Sequence, residues 1–276
     1  MKNKPIFLIS LLIFFALASC SDPTAASTTT VMLPEPVDLN VFAAASLTEA
    51  FTEIGRAFEA ERPEVKVIFN FAGSQQLVQQ MAEGAPADVF ASANQKQMDA
   101  AIQTGRIDGD AAQVFARNQL LLVYPADNPA GLGRLEDLAK PGVKLVLADE
   151  NVPVGQYARD FLDKTAQDAA FGSDYAARVL GNVVSYENNV KSVLGKVVLG
   201  EADAGIVYTS DVIGEDATKV GRIEIPDALN VPAVYPLAAL NDSQQVEAAQ
   251  AFVAMVLSET GQAILAAYGL IPAVEE

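Results

Sequence analysis

The chain has 276 residues, 51% of them apolar and 19% charged, which excludes a disordered protein and leaves room for two modest domains or one large one. Its net charge of −17 argues against nucleic acid as a partner, because that binding rests on basic residues opposed to phosphates. There is no histidine and a single cysteine, Cys20, which removes Ser-His-Asp triads, histidine zinc sites and disulfides together.

Lys2 and Lys4 precede an apolar run from Pro5 to Ala18, and the segment ends in Leu17-Ala18-Ser19-Cys20. The run falls short of the ~20 residues that span a bilayer, and small residues sit where an export signal is cut. It resembles a bacterial lipoprotein signal. The resemblance implies that residues 1–19 are removed and that Cys20 becomes a lipidated N-terminus, anchoring the protein to the outside of a membrane. Removing Lys2 and Lys4 takes the net charge from −17 to −19. Residues 20–37 are small, polar and interrupted by proline, the composition of a flexible tether.

Beyond the tether, strand and helix signals alternate, which predicts α/β architecture with mixed, mostly parallel sheets. Asp38 to Ala45 reads as a strand, and Leu47, Ala50, Phe51, Ile54 and Phe58 recur at helical spacing. Val65, Val67, Phe69 and Phe71 alternate as a second strand; Leu77, Val78 and Met81 mark a helix; Asp88 to Ser92 is a third strand. Leu120 to Tyr124 reads as a crossing strand. A further series follows: strand Val143–Ala148, helix Gly155–Leu162, a strand near Val183, a helix carrying Val190, Val193, Leu194 and Val197, and strand Ala204–Tyr208. Tyr235 to Leu240 reads as a returning strand before one long terminal helix bearing Val246, Phe252, Val253, Val256 and Leu257. Two crossings predict two lobes joined by a two-strand hinge: residues 38–118 plus 233–276 in lobe 1, and 119–232 in lobe 2.

Four segments share one design, in which a strand ends in small or polar residues and a helix begins: at Ser46, at Gly73-Ser74, at Val152-Pro153-Val154-Gly155 and at Asn188-Asn189-Val190. The first turn of a helix leaves N–H groups without intrahelical acceptors, and the aligned peptide dipoles favour negative charge there. Ser46-x-x-Glu49 is equally a capping box, Ser74 equally a helix-opening serine, and Val154 and Val190 equally packing residues with only an N–H to offer. Tyr208 ends a strand at the edge where open α/β sheets bind ligands, and it also fits a core tyrosine.

The segments Val41-Phe42-Ala43-Ala44-Ala45-Ser46-Leu47, Phe71-Ala72-Gly73-Ser74, Gly84-Ala85-Pro86-Ala87-Asp88-Val89-Phe90, Val152-Pro153-Val154-Gly155-Gln156-Tyr157-Ala158 and Gly205-Ile206-Val207-Tyr208-Thr209-Ser210-Asp211 resemble those of the molybdate-binding proteins of bacterial importers. The resemblance spans nearly the whole chain after the signal. It implies a two-lobed periplasmic-binding-protein fold of type II, an oxyanion held by Ser46, Ser74, Val154, Val190 and Tyr208, and delivery to the membrane subunits of an ABC importer by a monomeric binding protein. The only metal expected is that of the molybdate or tungstate oxyanion itself, held through hydrogen bonds, with no cofactor and no catalysis. At Val154 the family commonly has alanine, and either residue offers the same N–H.

A fully deprotonated dianion only accepts hydrogen bonds, so a site made of donors suits it, whereas a protonated phosphate also needs an acceptor. The acidic chain repels anions at long range, so the attraction must be local and dipolar. Alternative cargoes are sulfate, ferric iron through Tyr157, Tyr208 and Tyr235, or an organic anion, which would need a cationic clamp. Asp88 and Asp211 are expected to cap or to face solvent, and Thr209, one step beyond Tyr208, is expected to be inert.

Overall fold

The computed structural model describes residues 36–273. The signal, Cys20 and nearly all of the expected tether lie outside them. The chain begins with β1 (Val37–Ala44), α1 (Thr48–Glu61), β2 (Val65–Ala72), α2 (Ser74–Ala82), β3 (Val89–Ala91), α3 (Gln95–Gln103) and β4 (Gln113–Asn118). It continues with β5 (Leu120–Pro125), β6 (Leu145–Ala148), α4 (Pro153–Thr165), α5 (Tyr175–Gly181), β7 (Val183–Glu187), α6 (Val190–Val198), β8 (Ala204–Tyr208) and β9 (Val220–Glu224). The last elements are β10 (Ala233–Ala239), α7 (Val246–Leu257), α8 (Glu259–Ala267) and β11 (Ile271–Pro272).

Two sheets result, one ordered β11-β4-β10-β3-β1-β2 and one ordered β7-β6-β8-β5-β9. The chain passes from the first to the second through Gln119 alone, between β4 and β5, and returns between β9 and β10. Both sheets are mixed as expected, but the parallel share is smaller than the strand-helix alternation suggests. β10 runs antiparallel to β3 and β4, and β5 runs antiparallel to β8 and β9, because each of these strands lies beside a crossing and enters its sheet against the local direction. The pairs β1–β2, β1–β3, β6–β7 and β6–β8 are parallel.

α1 illustrates the packing. Its Ala50, Phe51, Ile54 and Phe58 are buried together, and Phe252 of α7 meets the rings of Phe51 and Phe58 edge-on at centroid distances of 6.0 and 5.4 Å. The terminal helix marked by Val246 to Leu257 is α7, and a further helix, α8, follows it at a 60° bend at Ser258, whose hydroxyl accepts from Gly261 N–H and caps α8. Sequence periodicity also leaves out α3, β4, α5, β9 and β11. α3 is opened by Asn94, whose side chain accepts from Gln97 N–H.

Helices begin close behind the ends of the parallel strands. β1, β2, β6 and β7 lead respectively into the helical segments at Ala45, Ser74, Pro153 and Val190, either directly or through a short turn, so helix N-termini from both sheets are brought to one side. β8 is paired with β5 so that Tyr208 lies opposite Leu120, immediately past the crossing.

Candidate functional site

Ser46, Ser74, Val154, Val190 and Tyr208 line a single cavity. The space between these residues measures about 210 Å³, part of it open to solvent. That suits a ligand of a few heavy atoms and is too small for a sugar or peptide. No charged side chain lines it among the described residues; its remaining walls are small, apolar or amide groups such as Ala44, Ala93, Pro153 and Asn189.

Each wall follows from the local sequence. Ser46 lies within a 3-10 turn, Ala45–Leu47, that runs directly into α1, so it is inside the first turn and does not act as the cap of a capping box. Glu49, the other half of that pattern, instead reaches Lys191. Gly73 precedes Ser74 and must be glycine for closure, since a Cβ there would stand 2.4 Å from the carbonyl oxygen of Asn188 across the cleft. Pro153 opens α4, where its missing N–H is harmless, and Gly155 lets α4 approach the end of β6: a Cβ at 155 would lie 2.0 Å from Asp149 O. Asn189 caps α6 by accepting from Ser192 N–H at 2.9 Å. The N–H groups of Ser74, Val154 and Val190 therefore fall in first helical turns, where the helix supplies no acceptor.

The hydroxyls have defined polarity. Ser74 Oγ accepts from Ala93 N–H at 3.1 Å, which leaves its proton for the cavity. Ser46 Oγ lies 2.9 Å from Tyr235 Oη. Tyr208 is 1% exposed, and its hydroxyl has no hydrogen-bond partner among the described residues. A buried hydroxyl without a partner is destabilising, and its presence at a cavity wall points to a ligand acceptor. Burial pushes the Tyr208 and Tyr235 phenols up, so both keep their protons and remain donors.

Lys191 stands beside the cavity with no motif to mark it. Its Nζ lies 2.9 Å from both carboxylate oxygens of Glu49 and 3.4 Å from Asp211 Oδ1, so this cation beside the cavity is already neutralised. Asp211 caps the turn Thr209–Asp211, as expected, but from a buried position: it is 1% exposed, accepts from Tyr208 N–H at 3.0 Å, and burial raises its carboxyl to about 6 in spite of Lys191. Asp88 is likewise buried, accepting from Asn40 N–H and from the Ser243 hydroxyl. Thr209 is engaged too, its hydroxyl donating to Asn118 Oδ1 at 2.8 Å.

Further bonds cross the cleft from one sheet's elements to the other's. Gln75 Nε2 donates to Asn188 O at 2.8 Å, Asn94 Nδ2 to Gln156 Oε1 at 3.2 Å, and Gln97 Nε2 to Asn151 O at 3.1 Å. The three tyrosines considered for ferric iron pack together, with the Tyr208 ring 6.4 Å from that of Tyr157 and 5.8 Å from that of Tyr235, but they do not share the cavity. Tyr157 accepts from Val234 N–H, Tyr235 is bound to Ser46, and only Tyr208 faces the cavity. Chemically, the arrangement is a small space with donors on its walls and, among the described residues that line it, no charged side chain.

The family model described as "Bacterial extracellular solute-binding protein" matches residues 39–271. The molybdate-binding protein ModA of Mycobacterium tuberculosis (strain ATCC 25618 / H37Rv) is 39% identical over 258 residues, covering 94% of each chain. Among solved structures, the substrate-binding domain of a putative molybdenum ABC transporter from Clostridium difficile is 33% identical with a TM-score of 0.63, over 87% of this chain and all of that one. The periplasmic molybdate-binding protein of Azotobacter vinelandii is 20% identical with a TM-score of 0.73, over 86% of this chain and all of that one, a likeness of fold.

Proposed function

Because the chain belongs to the bacterial extracellular solute-binding proteins, we propose that it captures molybdate, or the closely similar tungstate, between its two lobes and delivers it to the membrane subunits of an ABC importer. The observation that carries this reading is the unpartnered Tyr208 hydroxyl, buried at the wall of a small cavity whose other polar groups are also donors. The ligand atoms contact Ser46, Ser74, Val154, Val190 and Tyr208. Hydroxyls of Ser46, Ser74 and Tyr208 and backbone N–H groups at 46, 74, 154 and 190 supply the bonds. At a net ~1.5 kcal/mol for each bond to a charged acceptor, their sum reaches about 10 kcal/mol before the cost of closure, enough for roughly micromolar binding or tighter.

In this reading the lobes comprise residues 38–118 with 233–276, and residues 119–232, and the cleft closes about the two connections between the sheets. A site without a fixed cation suits an acidic chain, since it holds the dianion only while the donors converge. In this reading the protein binds and does not catalyse, and the two serines serve as ligand donors, Ser46 beside Tyr235 Oη and Ser74 beside Ala93 N–H.

Calorimetric titration with sodium molybdate, tungstate and sulfate tests the proposal. Saturable heat with the first two, at tens of micromolar protein, is expected; no heat from any of the three would overturn it. The lipid anchor is tested separately: a radiolabelled fatty acid should be incorporated in cells by the natural chain and not by Cys20→Ser.

A further inference from the structure

Tyr235 stands outside the set of cavity-lining residues, yet it decides which way a hydrogen bond in that set points. The chain of contacts begins at Asn118, which is fully buried. Gln119 N–H and the Thr209 hydroxyl both approach Asn118 Oδ1, at 2.9 and 2.8 Å. A backbone N–H can only donate, so this oxygen is the acceptor and the amide orientation is fixed. Asn118 Nδ2 must then donate, and its neighbours are Ser210 Oγ at 2.7 Å and Tyr235 Oη at 3.3 Å. With a donor already directed at its oxygen, Tyr235 turns its own proton to the acceptor that the hydrogen bonds of the described residues leave it, Ser46 Oγ at 2.9 Å. Ser46 accepts that proton, and its own can go only into the cavity.

We propose that Tyr235 is a positioning residue for anion selection: through Asn118 it fixes Ser46 as a donor, and so disfavours any anion that brings a proton of its own to that wall. This rests on the oxyanion reading and extends it to the basis of discrimination. A hydrogen-bearing anion such as hydrogen phosphate, placing its proton toward Ser46, would meet the Ser46 proton head-on unless it turned to the one lone pair of Ser46 Oγ that Tyr235 leaves free. A fully deprotonated dianion meets no such conflict. Tyr235 lies on β10 and Ser46 after β1, 189 residues apart, and the Asn118–Ser210 bond links the same network to the segment following Tyr208.

The test is a double-mutant cycle read by calorimetry on the whole chain, comparing the natural protein, Tyr235→Phe, Ser46→Ala and the double variant, with sodium molybdate as ligand and inorganic phosphate as competitor. Tyr235→Phe is expected to lower molybdate affinity about tenfold and to strengthen the competition from phosphate, while having no further effect once Ser46 is alanine. Equal affinity in Tyr235→Phe, a loss that persists in the Ser46→Ala background, or an unchanged molybdate-to-phosphate ratio would each overturn the inference. Should Tyr235→Phe fail to fold by circular dichroism, Asn118→Leu, which removes the donor that orients Tyr235, carries the same cycle with the same readings. A natural protein that binds none of molybdate, tungstate and sulfate overturns the oxyanion reading together with this one. Binding that Tyr235→Phe leaves intact overturns this one alone.

Discussion

Lys191 of α6 places its ammonium 2.9 Å from both carboxylate oxygens of Glu49 on α1, an ion pair that joins elements of the two sheets beside the cavity. The two side chains are 27% and 39% exposed, so solvent screens the pair and its contribution is at most about 1 kcal/mol. Glu49→Gln should weaken molybdate binding two- to fivefold, with a smaller difference at high salt, as read by calorimetry at two ionic strengths. Exchanging the charges by Glu49→Lys with Lys191→Glu should not restore binding, because the new carboxylate at 191 would face Asp211. Full restoration would show that Asp211 is not part of the pair.

Tyr208→Phe separates affinity from stability. Removing a hydroxyl that only the ligand satisfies should lower affinity at least tenfold, yet leave the ligand-free protein as stable or up to about 1 kcal/mol more stable by urea unfolding. A clear loss of ligand-free stability would mean that the hydroxyl has a protein partner.

Ser74→Ala should behave differently, because Ser74 Oγ also accepts from Ala93 N–H. Affinity should fall at least tenfold, and ligand-free stability should fall as well, by roughly 1–2 kcal/mol for the orphaned N–H. Loss of affinity without loss of stability would contradict that bond.

Gly73→Ala puts a methyl group where Asn188 O closes across the cleft. Binding should become undetectable, and the small-angle scattering radius, expected to shrink when molybdate is added to the natural protein, should stay constant in the variant. A variant that contracts on adding molybdate would show that the two strands can part without penalty.

Asp211 gives a pH dependence of definite sign. Its carboxyl titrates at about 6 in the folded chain, against about 3.9 when unfolded. The folded state therefore holds the proton more tightly; the stability this brings is complete below about pH 4 and is lost as pH rises through about 6. Relative to Asp211→Asn, the natural protein should lose roughly 2–3 kcal/mol over that window and stay level above it, measured by urea midpoints at intervals of pH. A constant difference between the two proteins would refute the assignment.

How much could be read from residues alone divides along physical lines. Strand ends and helix starts are local, set by periodicity and by Gly, Pro and Asn, and so the strand Ala204–Tyr208 and the helix starts at Ser74 and Val190 were legible. The Ser46-x-x-Glu49 pattern misled because a 3-10 turn starts the helix earlier and turns Glu49 toward α6. The helix α8 beyond Ser258 was hidden because its start is marked by one hydroxyl. Lys191, and the place of Tyr235 beside Ser46, could not be found by local reasoning. Each acts on a residue more than a hundred positions away, a pairing that only the strand order creates.

The bare hydroxyl of Tyr208 also bears on fidelity. Shut around nothing, the cleft strands a buried donor, a penalty of about 1–3 kcal/mol that an open, hydrated cleft avoids. Such a penalty thins the population of empty but shut molecules by roughly five- to 150-fold. An importer that recognises the shut shape thus meets few counterfeits, and a single phenol raises the signal of a loaded carrier above the noise of an unloaded one.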